Sequence, residues 1–181
     1  MSIQSIIIPI SKGKLIKLLI FAVIFIIAGF FFLTIDPSSQ RSLMNIAFIR
    51  YSVAFSAIIM GAVGMIFFII KMFDKKPGLV IDSKGITDNA SGVSAGFVPW
   101  EDIRHIYTTQ VMNEKFILIG VSNPEKYINR QTKFLKKKAM SFNYKTYGSP
   151  ISITSNGLKA NHDKLITTLN EMWGKFKGTS E

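Results

Sequence analysis

The sequence predicts an α+β chain in two parts: an N-terminal hairpin of two apolar helices, then a small antiparallel β-barrel closed by a C-terminal helix. Three observations lead there. Residues 18–35 and 51–70 are uninterrupted apolar runs of 18 and 20 residues without a single charge. After Lys76 the apolar residues break into strand-length groups separated by Gly, Ser and Asn. From Asn161 they return at helical spacing.

A helix rises about 1.5 Å per residue, so each run covers most of a ~30 Å hydrocarbon core. The first carries 14 Leu, Ile, Val or Phe residues, each favouring insertion by roughly 0.3 to 0.6 kcal/mol. The expectation is a transmembrane hairpin over residues 15–71, after a short N-terminal segment of residues 1–14. The first run is longer than a signal-peptide core and ends in bulky Phe30-Phe31-Phe32-Leu33, so it reads as a retained span. Asp36-Pro37-Ser38-Ser39 stops it, because Pro cannot continue a helix and its neighbours favour a turn.

Lys12, Lys14 and Lys17 precede the first run, and Lys71, Lys75 and Lys76 follow the second. The loop between them, residues 36–50, has only Arg41 and Arg50. Basic residues concentrate on the cytoplasmic side, so both termini are expected there, in a multi-pass protein of the cell inner membrane. Ala57, Gly61 and Gly64 put small residues three and four apart on one face, suited to close approach by another helix. The expected partner is either Ala28-Gly29 of the first span or the same helix in a second copy. Neither run contains an ionisable residue, which argues against a pump or proton relay.

Residues 78–181 are expected to form the domain. Gly78-Leu79-Val80-Ile81-Asp82 reads as a strand, with Ser83-Lys84-Gly85 a turn in which Gly supplies a positive φ. Ile86-Thr87-Asp88 returns, and Phe97-Val98-Pro99-Trp100 follows a Gly- and Ser-rich loop. Residues 103–111 and 115–121 form a hairpin whose second strand is apolar on both faces, hence central or covered by a helix. Asn123-Pro124 starts a helix extending to about Met140, because Asn caps well and Pro suits the first position. Tyr127 with Phe134 and Ile128 with Leu135 then give an apolar stripe. Ile151-Ser152-Ile153 is a short strand, and residues 161–176 a helix bearing Leu165, Ile166, Leu169, Met172, Trp173 and Phe176. Short antiparallel strands closed by such a helix are the order of a pleckstrin-homology-like (PH-like) barrel. Ile6-Ile7-Ile8-Pro9-Ile10 lies on the same side of the membrane and is expected to pack on the sheet or to add an edge strand to it.

Gly78 to Asp82 with Gly85-Ile86, then Val98-Pro99-Trp100-Glu101-Asp102-Ile103, resembles the opening of bacterial PH-like domains. The whole chain, with Lys-flanked hairpin, Lys75-Lys76-Pro77-Gly78-Leu79 and Tyr147-Gly148-Ser149-Pro150-Ile151, is similar to an uncharacterised family of small bacterial two-span membrane proteins. The resemblance implies a fold and a location, and carries no catalytic residue across.

Chemistry-bearing clusters are few. Cysteine is absent, which removes disulfides, thiolate metal sites and cysteine nucleophiles. His105 and His162 have no further ligand at metal spacing. No Gly-x-Ser-x-Gly or phosphate-binding loop occurs, and the glycines of residues 91–96 lead into a strand, not a helix. No enzyme activity, cofactor or metal is expected. Glu101 and Asp102 read as solvated carboxylates and Trp100 as a core anchor.

The net charge of +11 has one concentrated source. From Lys126 to Lys145 there are seven Lys or Arg residues and no acid, with Lys126, Arg130, Lys133 and Lys137 on one face of the expected helix. Nucleic acid would suit the charge, but no recognition motif accompanies it, and nucleic acid is not the expected partner. The expected work is binding of anionic lipid headgroups, or of a protein partner, by this face. The alternatives are a membrane-embedded immunity protein against a membrane-active toxin, and an accessory subunit of a membrane complex.

Overall fold

The computed structural model describes residues 5–35 and 47–177, which form two compact units. Residues 12–74 make one. The other joins the chain up to Ser11 with everything from Lys75 onward.

The first unit is an antiparallel helix pair, α1 (Lys12–Thr34) and α2 (Ala47–Phe73). At 23 and 27 residues they run about 35 and 40 Å. Both extend beyond the apolar runs into the flanking lysines. Leu15, Ala22 and Gly29 of α1 are buried at intervals of seven, and so are Ala54 and Gly61 of α2. A Cβ on Gly61 would lie 2.7 Å from the Ala22 carbonyl oxygen, and one on Gly29 2.8 Å from that of Ala54. The expected partner of the Ala57, Gly61 and Gly64 face is Ala28-Gly29 or a second copy. Gly29 meets α2 at Ala54 and Ile58, while Gly61 meets Ala22 and Ile26, because in an antiparallel pair each step up α2 moves the contact a step back along α1. Ala57 is half-buried, and a Cβ on Gly64 would make only ordinary contacts at 3.6 Å.

Large side chains point the other way: Phe21, Phe31, Phe55, Ile59, Val63 and Ile70 are all more than half exposed. A core helix of a soluble domain would bury them. The most apolar windows of α1 and α2 are only 17% and 11% buried. Both helices are long and apolar enough to cross a membrane. Arg50, expected in the loop, belongs to α2, where its Nη1 donates to the Ile35 carbonyl (2.9 Å). Residues 36–46, with Asp36-Pro37 and Arg41, lie outside the described residues.

The second unit has two antiparallel sheets. The first runs β1 (Ile6–Ile8), β2 (Leu79–Ile81), β3 (Gly85–Asp88), β4 (Gly96–Pro99), in that spatial order. The N-terminal segment is therefore the expected edge strand, with Ile6 opposite Ile81 and Ile8 opposite Leu79. Beyond it Ile10 bridges to Leu158, and Pro9, without an N–H, accepts from Lys159. The Ser83-Lys84 turn is set by Asp82, whose Oδ1 accepts from the amides of Lys84 and Gly85. Gly85 does not have the expected positive φ. It is glycine because a Cβ would collide with the backbone of Val98 and Pro99 on the neighbouring strand.

The second sheet is β5 (Ile103–Val111), β6 (Glu114–Val121), β7 (Ile151–Thr154), with β6 central. A single 3₁₀ turn, Trp100–Asp102, separates β4 from β5. Pro99 has no N–H to carry the ladder onward. Among the described residues no strand pair joins the two sheets, so they form two separate sheets where the sequence predicted one closed barrel.

Leu79, Ile81, Ile86, Ile117, Ile119 and Ile153 fill the core, closed by Leu165, Leu169 and Met172 of α5 (His162–Lys177). The other face of β6 is also covered. Leu118 is 1% exposed, and Asn143 of the helix α4 (Phe134–Tyr147) donates to Ser152 of β7 on that face. Covering by helices explains a strand that is apolar on both sides.

The segment after Asn123 departs from expectation. It forms two helices, α3 (Pro124–Asn129) and then α4, not one. Asn123 caps α3 as expected, accepting from the Lys126 amide (3.1 Å). At Lys133 the backbone is extended (φ −85°, ψ 123°), which resets the helical phase. A seven-residue spacing shares a face only while a helix is continuous. So Tyr127 and Ile128 are buried, whereas Phe134 and Leu135 are 74% and 77% exposed.

Candidate functional site

The four basic residues singled out from the sequence divide into two pairs with different surroundings. Lys126 and Arg130 belong to a lock that fixes α3 against the strand turn. Lys126 Nζ donates to Asp102 Oδ2 (2.7 Å), and the hydroxyl of fully buried Tyr127 donates to the same oxygen (2.5 Å). The Arg130 guanidinium lies over the Tyr127 ring, 4.8 Å from its centroid, and donates to the carbonyls of Ala95 and Phe97. Asp88 closes the same loop from below, its carboxylate accepting from the amides of Ala90 and Ala95.

The electrostatics follow. Partial burial pushes the Asp102 carboxyl up, but hydrogen bonds from Lys126 and Tyr127 and the charges of Lys126 and Arg130 outweigh it, leaving it below its ordinary value. Burial, then the Asp102 hydrogen bond and charge, push the Tyr127 phenol well above its ordinary range. Asp102 is thus a carboxylate paired with Lys126 and Tyr127 and near the charge of Arg130, not the solvated one expected. The sequence carried no signal for this, because Asp102 and Lys126 meet only through tertiary folding.

Lys133 and Lys137 stand apart from the lock, with Lys136, Lys138 and Lys145. All five lie on α4 or at its N-cap, an element without a single acidic residue. None forms an ion pair with a carboxylate among the described residues. Opposite buried Met140, the outward face of α4 carries Phe134, Leu135 and Phe142, all more than 60% exposed, beside Lys138 and Lys145. Lys138 sits over the Phe134 ring at 6.0 Å. The helix ends at Gly148, whose left-handed backbone (φ 73°) lets its amide cap the Tyr144 carbonyl (2.9 Å).

Two concavities flank α4. One, of about 140 Å³, lies between α4 and the second sheet and includes Val111, Phe116, Phe142 and Ser152. The other is an open groove along the helix, lined by Ile128, Phe134, Lys137, Phe142 and Lys145. Phe142 borders both.

The remaining residues of interest are structural. Trp100 is 6% exposed, donates Nε1–H to the Asp82 carbonyl (2.9 Å) and stacks on Phe176 at 5.8 Å. His105 packs over Gly120, and Nε2 of His162 is 3.3 Å from the Thr108 hydroxyl. Among the described residues no group of three His, Asp or Glu could hold a metal ion.

No family model, no curated protein and no solved structure matches this chain. The functional reading therefore rests on the sequence and the geometry.

Proposed function

We propose that this is a non-enzymatic integral protein of the bacterial inner membrane: its hairpin spans the bilayer, and its PH-like domain binds anionic lipid headgroups on the cytoplasmic face. The observation that carries the binding reading is the acid-free set Lys133, Lys136, Lys137, Lys138 and Lys145 on one short element. Each basic residue near an anionic surface contributes roughly 1 kcal/mol.

Connectivity supports the placement. β1 and β2 are neighbours in one sheet, so the chain leaves for α1 and returns from α2 on the same side of any membrane. No residue separates Ser11, hydrogen-bonded to Gly157, from the start of α1. Five residues separate α2 from β2, a reach of at most about 20 Å. The domain is thus joined to the helix pair by two short connections. The lysine flanks at Lys12, Lys14, Lys17, Lys71, Lys75 and Lys76 favour the cytoplasmic side.

The test is hydrogen exchange of the α4 amides in the full chain, reconstituted in vesicles of phosphatidylcholine alone or with phosphatidylglycerol. Protection that needs the anionic lipid, fades at high salt, and is lost when Lys133, Lys137 and Lys138 are all changed to Gln is the expected result. Equal exchange in both vesicles would return the domain to protein binding. Lys126 and Arg130 are left out of this variant because their loss would disturb the lock around Asp102.

A further inference from the structure

We infer that the outward face of α4 and the tip of the β5–β6 hairpin form one apolar wedge that enters the headgroup–acyl boundary of an anionic membrane, the lysines holding it there. This rests on the lipid-binding reading above and goes beyond it: headgroup contact needs only charge, whereas the wedge buries hydrocarbon.

The hairpin tip is unusual. Met112 is 92% exposed and sits in the left-handed backbone region (φ 55°), which a branchless glycine or an asparagine tolerates far better. Its neighbour Val111 borders the same concavity as Phe142 of α4. Phe142 in turn shares the adjoining groove with Phe134. Met112, Val111, Phe142, Phe134 and Leu135 thus form a chain of exposed apolar residues across two elements.

The position of this surface matters as much as its composition. Asn156 donates to Glu114, at the base of the hairpin tip, and the next residue, Gly157, accepts from Ser11. Met112 and Ser11 therefore lie at the same end of the domain. Exposed Phe and Leu side chains with Lys beside them can bury hydrocarbon while the long Lys stems keep their ammonium groups at headgroup level. The charge complements anionic lipid, and the same chain carries two helices long and apolar enough to cross a membrane.

The absence of cysteine allows single probes in the full chain. Met112→Cys, Leu135→Cys and, as a control on the outer face of α5, Asn170→Cys would each carry an environment-sensitive fluorophore. Each protein would be reconstituted in vesicles with and without phosphatidylglycerol, containing lipid with a nitroxide high on the acyl chain. The expected result is a blue shift and quenching at 112 and 135, greater with phosphatidylglycerol, and neither at 170. Insertion should outlast the headgroup contact as salt rises, because the Debye length falls to ~3 Å at 1 M while hydrocarbon burial persists. Labels at 112 and 135 as unquenched as that at 170, with α4 amides still protected by anionic lipid, would overturn the wedge and leave headgroup binding standing. Loss of both signals would overturn both. All three substituted side chains are exposed, so each variant keeps the fold.

Discussion

The helix pair and the domain are packed inside out relative to each other. Where α1 and α2 meet along their apolar length the buried positions are the small residues Ala22, Gly29, Ala54 and Gly61, with Leu15, Arg50 and Lys71 buried nearer the ends, while Phe and Ile face outward. In the domain Ile and Leu are inside and lysines outside. The contrast matches the apolar length of α1 and α2, which suits them to cross a membrane. Without a hydrophobic driving force between helices in lipid, close backbone approach through small residues holds a pair together. In water the large apolar residues must be hidden. α4 breaks the pattern, because it belongs to the domain but presents Phe134, Leu135 and Phe142 as the hairpin presents its own aromatics. That exception is why α4 carries the proposed lipid contact.

The largest expected effect concerns where one region ends and the other begins. The domain needs residues from both sides of the hairpin, so residues 5–11 joined to 75–177 by a flexible linker should unfold cooperatively in urea. Residues 78–177 alone lack β1 and expose the site of Ile10, and should be less stable by about 3 kcal/mol or more. Equal midpoints and slopes for the two fragments would make β1 a decoration and restore the simpler boundary.

A smaller effect tests the hairpin's small-inside packing. Gly61→Ala would place a methyl against the Ala22 carbonyl and the Ile26 side chain, and is expected to cost about 2 to 3 kcal/mol. Gly64→Ala, with ordinary contacts, should stay within ~0.5 kcal/mol. Reversible unfolding of the full chain in detergent would measure both. Similar losses would mean that small size along the whole stripe matters, not the one contact.

The smallest effect tests the polar lock. Asp102→Asn should cost the domain about 1 to 2 kcal/mol at neutral pH, the range for a hydrogen bond to a charged group. Because the carboxyl's folded value lies below its ordinary 3.8, its contribution is fully present above about pH 4. It fades as the pH falls through the folded value, so wild type and variant should converge in acid. Tyr127 acts at the other end. A phenol held protonated loses stability above its ordinary value of 10.0, so alkaline melting should be steeper in wild type than in Tyr127→Phe. A pH-independent difference for Asp102→Asn would remove the ionic part of the lock.

Much of the fold is legible in the residues, element by element. Two charge-free runs specify the helix pair, and alternation with Asp, Gly and Asn turns specifies most strands. The N-terminal Ile6 to Ile10 could be read as an edge strand because an apolar run beside a domain has to be covered and Pro9 tolerates an edge. The basic site was half legible. Acid-free lysines stand out in any sequence, but the break at Lys133 does not. Arg130 is drawn to the carbonyls of Ala95 and Phe97, some 35 residues away in the chain, and no local periodicity reports such a contact.

What the sequence determined by itself is each element's solvent: apolar length for α1 and α2, alternation and turn chemistry for the sheets, and charge for α4. Those properties are local, and a hydrophobic period or a proline acts within a few residues. Only the tertiary structure decided that β1 pairs with β2 across the whole hairpin. It also decided that the strands divide into two sheets, that Asp102 gathers Lys126 and Tyr127, and that Phe134 and Leu135 face outward while Tyr127 and Ile128 do not. Each of these depends on which distant groups compete for the same backbone and the same buried space.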